Sequence, residues 1–315
     1  MIVRITRALI FLQIIMVAGL CIVLHHYFLV ASMPLAWILS FSALALVRFM
    51  LIANTFFIAY RYRGPLPTEQ RLSWKTGGRL LFQEFWASML VTSWQMPFCS
   101  FSGTVAPQAA GLPVLLIHGY GCNSGYWHSM RRHLIRSNIS HKGIDLEPLL
   151  GGIDDYAASL NKAVEELCRE SGKTQLIILA HSMGGLAARV YLHQYGSRRI
   201  AKIISVGTPH HGTMLAKFGI GINSQQMRWH GDADRGQPSD WLRNLASAED
   251  TASRALITSI YSLHDNIVAP QQSCHLPGAN NIGLPRIGHV ALGLHPTVQA
   301  LALAEIRLAA RLGQL

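Results

Sequence analysis

The sequence predicts an α/β chain: a mostly parallel sheet with helices on both faces and a lid-like insertion, preceded by an N-terminal membrane helical segment. Three observations predict it. From Val114 onward, apolar runs of strand length alternate with stretches of helical period, the pattern of a sheet covered on both sides. The run Gln175-Leu176-Ile177-Ile178-Leu179 leads straight into Ala180-His181-Ser182-Met183-Gly184-Gly185, a serine flanked by small residues where a strand would turn into a helix. The 315 residues are 50% hydrophobic and 14% charged, too apolar for an ordinary soluble enzyme, and the excess lies at the N-terminus.

Within residues 1–63 one or two transmembrane helices are expected. Ala8 to Val30 holds no acidic or basic residue except His25 and His26 and is long enough to cross a ~30 Å hydrocarbon core. Pro34 to Tyr60 is also long enough, but Arg48 falls near its middle, and an intramembrane arginine costs roughly 3 kcal/mol or more. A cleaved signal peptide would account for Arg4 and Arg7 ahead of an apolar region, yet that region is long and lacks a small-x-small cleavage site. Arg4 and Arg7 precede the first segment, the intervening loop carries no Lys or Arg, and Arg61, Arg63, Arg71, Lys75 and Arg79 follow the second. The positive-inside rule then places both ends of a hairpin, and the rest of the chain, in the cytoplasm; a single span would place the rest outside.

Residues 64–110 are expected to be an amphipathic helix and a connector. Gly64-Pro65-Leu66-Pro67 breaks any helix, and Thr68 to Trp94 then carries Leu72, Leu80, Leu81, Phe85 and Met89 on related faces, for packing on the next domain or lying on a bilayer. Pro97 to Pro113 reads as the connector. Residues 111–315 form one domain, with strands at Val114 to Ile117, Ile139 to Asp145, Gln175 to Leu179, Ile200 to Val206 and Leu256 to Leu263. Helices are expected near Gly125 to Ser137, at Asp154 to Glu170, after Ser182, and from Pro296 to Leu312. Residues 213–250 break the alternation and are expected to lie as a lid above the carboxyl ends of the strands.

The formal charge of +11 raises nucleic acid as a partner, but the basic residues are dispersed and no basic-aromatic motif accompanies them, so no nucleic-acid partner is expected. Attraction to anionic lipid, or simple solubility, explains the charge. Cys21, Cys99, Cys122, Cys168 and Cys274 have no paired spacing, so neither a disulfide framework nor a metal site is expected.

Ser182 is the expected nucleophile. In a tight strand-to-helix turn, side chains larger than Gly or Ala two residues either side would collide with neighbouring backbone; Ala180 and Gly184 fill those places, with His181 between. A serine hydroxyl needs a histidine to take its proton, and the histidine needs a carboxylate to fix its tautomer. Asp265 directly follows the strand ending at Leu263, and His289 lies in a later loop, giving the order Ser, Asp, His. Asp232, Asp234, Asp240 and Asp250, and His275 and His295, compete for these roles from less favourable positions. His264 and the pair His210-His211 read as turn or pocket-rim residues. His118-Gly119-Tyr120-Gly121 ends a buried strand, and the backbone N–H groups of Tyr120 and Met183 are the expected oxyanion donors.

Together with Gly207-Thr208-Pro209-His210-His211-Gly212-Thr213, these motifs resemble a bacterial lipase or esterase of the α/β-hydrolase superfamily, over about Leu112 to Leu315. The resemblance implies a serine acyl hydrolase of that fold acting on carboxylic esters without a cofactor, here held at the bacterial inner membrane. Some secreted lipases bind calcium through an aspartate two residues after the catalytic histidine; that position is Ala291, so no metal is expected. The membrane segment points to a lipid or long-chain ester substrate. Two alternatives stand beside hydrolysis: acyl transfer to another alcohol from the same acyl-enzyme, and a membrane adaptor that keeps the scaffold without catalysis.

Overall fold

The structure, a computed structural model, describes residues 1–28, 30, 32–64, 70–106, 109 and 111–312. The chain opens with two long helices, α1 (Ile2–His26) and α2 (Met33–Arg61), of mean hydropathy 2.5 and 2.1, each long and apolar enough to cross a membrane. They pack against one another. Arg48 does not interrupt α2. Its guanidinium donates to Gln13 Oε1 on α1 (3.4 Å), Ser93 Oγ (2.8 Å) and Thr92 Oγ1. The partners that lower its cost come from other segments of the chain, beyond the reach of a reading confined to one segment.

The proline-rich break and the expected helix start at Thr68 lie outside the described residues. The amphipathic helix, α3, is Trp74–Leu90, capped by Ser73, whose Oγ accepts the Thr76 N–H. It continues through a π-turn at Val91–Gln95 into α4 (Met96–Phe98), so the helical path runs past the expected end at Trp94 and into the expected connector. Leu80, Glu84, Ala87 and Val91 form a buried stripe, while Phe82, Trp86, Leu90, Trp94 and Phe98, four residues apart, remain exposed.

The remaining chain forms a seven-stranded sheet. β1 (Gly103–Thr104) is a short antiparallel edge; β2 (Val114–Ile117), β3 (His141–Ile144), β4 (Leu176–His181) and β5 (Ile200–Val206) are parallel, as are two later strands. Between them come α5 (His128–Arg136), α6 (Tyr156–Ser171) and α7 (Met183–Tyr195). The insertion after Thr213 is more ordered than its lack of period suggested. It holds a 3-10 turn at Met214–Phe218, α8 (Ile222–Gln226), a small hairpin of β6 (Trp229–His230) and β7 (Gln237–Pro238), and α9 (Asp240–Ala248). After α10 (Thr251–Ala255) the main sheet resumes with β8 (Ile257–Ser262) and β9 (Asn280–Leu284), and α11 (Pro296–Leu312) ends the fold.

The sheet order is β1-β3-β2-β4-β5-β8-β9. Alternating residues divide the core: Leu115, Ile117, Ile178 and Ala180 face α6 and α7, while Val114, Leu116, Ile177 and Leu179 face α5, α11 and the buried stripe of α3. Strands buried on both faces therefore read as unbroken apolar runs. β9, with the sequence Asn-Asn-Ile-Gly-Leu, lacks that signature because it is an edge strand, and none of the strands expected from the sequence falls there. The chain crosses from one side of β2 to the other between β3 and β4, which makes a topological switch point at the carboxyl ends of β2 and β4.

Candidate functional site

Ser182 sits at that switch point, buried at the end of β4. It follows the last residue of β4 and caps α7 with φ 52° and ψ −126°, a left-handed conformation rare for a residue with a side chain. Its N–H donates to Val206 C=O at 2.9 Å, and its own C=O accepts the Thr208 hydroxyl at 2.9 Å. The elbow is thus clamped to the end of β5. The small flanking residues are required by close approach: a Cβ on Gly184 would lie 2.5 Å from the His118 carbonyl oxygen, and Ala180 is fully buried. Alanine at 180 fits where the usual pattern has glycine.

Asp265 begins the loop after β8. Its Oδ1 accepts the N–H groups of Ile267 (2.7 Å) and Val268 (2.8 Å), which orients Oδ2 towards His289 Nδ1 at 2.8 Å. Both side chains are buried. Burial pushes the His289 imidazole down, but the charge and hydrogen bond of Asp265, with a contribution from Glu84, hold it above its ordinary value. A carboxylate on Nδ1 leaves Nε2 as the proton acceptor. His289 lies against His181, the residue before Ser182: the ring centroids are 4.7 Å apart and His181 Nε2 is 3.2 Å from the His289 carbonyl. Burial and the charge of His289 keep His181 neutral, well below the usual histidine range, so it donates that bond.

The loop expected to supply the oxyanion donors, His118 to Gly121, lies against Ser182. A Cβ on Gly119 would come 2.9 Å from Ser182 Cβ, which places the neighbouring Tyr120 at the elbow. Gly121 completes the turn, in which Cys122 N–H bonds Gly119 C=O. Met183 N–H belongs to the first turn of α7, where no preceding carbonyl can take it and the helix presents its positive end. His118 shapes this loop. Its Nδ1 donates to Gly119 C=O (2.8 Å) and its Nε2 accepts Leu146 N–H (3.0 Å), and burial lowers its pKa, so it is a neutral tie and no base.

The competing residues sit elsewhere. Asp250 caps α10, Asp240 pairs with Arg243, and His264 bonds Gln70 C=O and Arg286 N–H. Among the described residues, no three His, Cys, Asp or Glu side chains group closely enough to hold a metal ion.

Four further residues serve the site. Asn266 Oδ1 accepts His289 N–H at 2.9 Å while its Nδ2 donates to Thr55 Oγ1 on α2. Thr208 clamps the elbow. Arg189, fully buried, pairs with Glu249 and donates to His210 C=O, holding the Gly-Thr-Pro-His-His-Gly loop. Glu84 on α3 accepts the N–H groups of Val290 and Ala291. The sequence carried a signal for Glu84: it falls on the same helical stripe as Leu80, Ala87 and Val91, where a charged residue has no reason to be unless it has a partner.

Residues 113–238 match the family described as alpha/beta hydrolase fold. The chain is similar to a triacylglycerol lipase of Pseudomonas fragi, 30% identical over 112 residues, which cover 33% of this chain and 36% of that protein. It is also similar to a triacylglycerol lipase of Pseudarthrobacter phenanthrenivorans, 25% identical over 118 residues covering 35% and 37%. These matches span about a third of the length of each relative. Among solved structures, a lipase of Bacillus licheniformis in its mature form aligns with a TM-score of 0.53 at 18% identity, over 67% of this chain and 97% of that one.

Proposed function

We propose that the chain, whose residues 113–238 match the alpha/beta hydrolase fold family, is a membrane-held serine hydrolase that cleaves carboxylic esters of lipids or other long-chain alcohols and acids. One observation carries this reading: a buried Asp265–His289 pair packed against a strained serine turn, with the His118–Gly121 loop on the opposite side. Ser182 Oγ would attack the acyl carbonyl while His289 Nε2 takes its proton, and Asp265 would stabilise the imidazolium so formed. The N–H groups of Tyr120 and Met183 would receive the oxyanion; each such donor is typically worth about 10²–10³ in rate. His289 would return the proton to the departing alcohol, leaving an acyl group on Ser182. Water, deprotonated by the same histidine, would then release the acid.

The membrane setting rests on α1 and α2, on the exposed aromatic row of α3, and on the contact of α2 with the site through Thr55 and Asn266. A bilayer-bound ester would meet the site without crossing bulk water. The arginines that flank the α1–α2 hairpin support an orientation with both of its ends, and the hydrolase fold, in the cytoplasm.

The test is turnover of an ester panel, from short to long acyl chains, by the full chain in detergent or lipid, alongside Ser182→Ala. Turnover that survives Ser182→Ala would overturn the assignment. Activity confined to short soluble esters would remove the lipid substrate while keeping the hydrolase.

A further inference from the structure

We propose that Glu84 is a positioning residue for His289, so that the helical segment ahead of the hydrolase fold is part of the catalytic apparatus. The inference rests on the serine-hydrolase reading. It begins with the backbone of the base loop, where every N–H from His289 to Gly293 has a partner. His289 N–H goes to Asn266 and its C=O to His181; Leu292 N–H goes to Gly288 C=O; Val290 C=O and Gly293 N–H share the Tyr126 hydroxyl. The two remaining donors, Val290 N–H and Ala291 N–H, go to Glu84 Oε1 at 2.8 Å and Oε2 at 2.9 Å. Of these partners, only Glu84 comes from the chain before the sheet.

The fit is close and the carboxylate is costly. Glu84 is 1% exposed, and a Cβ at Gly288 would lie 2.3 Å from its Oε2, so the loop can approach only because residue 288 has no side chain. Removing a carboxylate from water costs several kcal/mol unless it is hydrogen-bonded. Here both oxygens accept backbone N–H groups from the two residues that follow the base. Burial raises the Glu84 pKa, and the two N–H groups and His289 oppose that rise.

The charges around His289 can be named element by element. Asp265 faces it from the loop after β8, Glu84 from α3 and His181 from β4, while Tyr126, stacked on His181, and Cys122 near Tyr126 belong to the segment after β2. Burial keeps His181 neutral, holds the Tyr126 phenol protonated and pushes the Cys122 thiol up to about 12. Asp265 and Glu84 are therefore the two acidic groups among these, and both Glu84 oxygens accept backbone N–H groups as those of a carboxylate do. When His289 becomes an imidazolium in the transition state, the second anion lowers the energy of that form from behind the loop, without touching substrate.

Glu84→Gln in the full chain removes the charge and turns one acceptor into a donor; Glu84→Asp keeps the charge. The expected result for Glu84→Gln is kcat lowered about 10-fold to 100-fold with KM little changed, and an acid limb of kcat/KM displaced downward by about half a pH unit. Glu84→Asp should restore the limb and recover part of kcat. The His289 titration, followed by NMR in a histidine-labelled chain, reads the same downward displacement whether or not any ester is turned over. A Glu84→Gln chain that melts at a lower temperature with an unmoved His289 titration overturns the positioning role, while Ser182→Ala in parallel judges the hydrolase reading separately.

Discussion

Asp265 Oδ2 lies 2.8 Å from His289 Nδ1, and the same carboxylate spends its other oxygen on two backbone N–H groups of its own loop. The pair is rigid on the acid side before substrate arrives. Because His289 stands above its ordinary value, the acid limb of kcat/KM should fall above pH ~6.5, the unperturbed value. The sign for stability is opposite. The folded chain holds the proton more tightly than the unfolded one, so the pair's contribution is full below pH ~6.5 and is lost as pH rises through the folded pKa. Asp265→Asn should lower kcat on the order of 10³–10⁴, since the imidazole loses its fixed tautomer; a loss under tenfold in steady-state assays would count against the pair.

Glu249 meets Arg189 with both oxygens, at 2.6 and 2.8 Å, and Arg189 has no exposed surface. Glu249→Ala should therefore cost about 3–5 kcal/mol, because it strands a buried guanidinium. The thermal midpoint should fall by several degrees. Replacing both partners by hydrophobic residues should recover much of that loss, and a double variant as unstable as the single one would refute the desolvation argument.

Arg48 joins three helical segments through Gln13, Thr92 and Ser93. Arg48→Ala is expected to loosen α1 and α2 from the π-turn that follows α3, lowering stability in detergent by about 1–2 kcal/mol. An unchanged or higher melting temperature would show that the arginine is tolerated and contributes no tie.

The Tyr120 hydroxyl donates to Ile220 C=O (2.8 Å) and accepts Ile220 N–H (3.1 Å), linking the His118–Gly121 loop to the insertion. Tyr120→Phe should cost about 0.5–1.5 kcal/mol locally. Hydrogen exchange at the Ile220 amide should quicken while exchange in β4 stays the same.

What the residues announced depended on how local the cause was. Val114 to Ile117 and Leu176 to Leu179 are buried on both faces, and their apolar runs say so directly. Ser182, Asp265 and His289 could be chosen because a nucleophile elbow constrains its near neighbours and strand ends expose their loops. β9 escaped notice because an edge strand needs no apolar run. Arg48 looked like an obstacle because Gln13, Thr92 and Ser93, its partners, are 35 to 45 residues away. Glu84 was passed over as one polar residue on an amphipathic helix, since its partners are some 206 residues further on.

The buried stripe of α3 lies on the N-terminal side of the segment that enters the sheet. A protease cutting near residue 105 would free a piece holding serine, aspartate and histidine, yet that piece would depart without Glu84 and without Thr55. On the reading proposed above, release of that piece from α1–α3 would weaken its turnover, so partial degradation would leave a cell with a poorer esterase than the full chain.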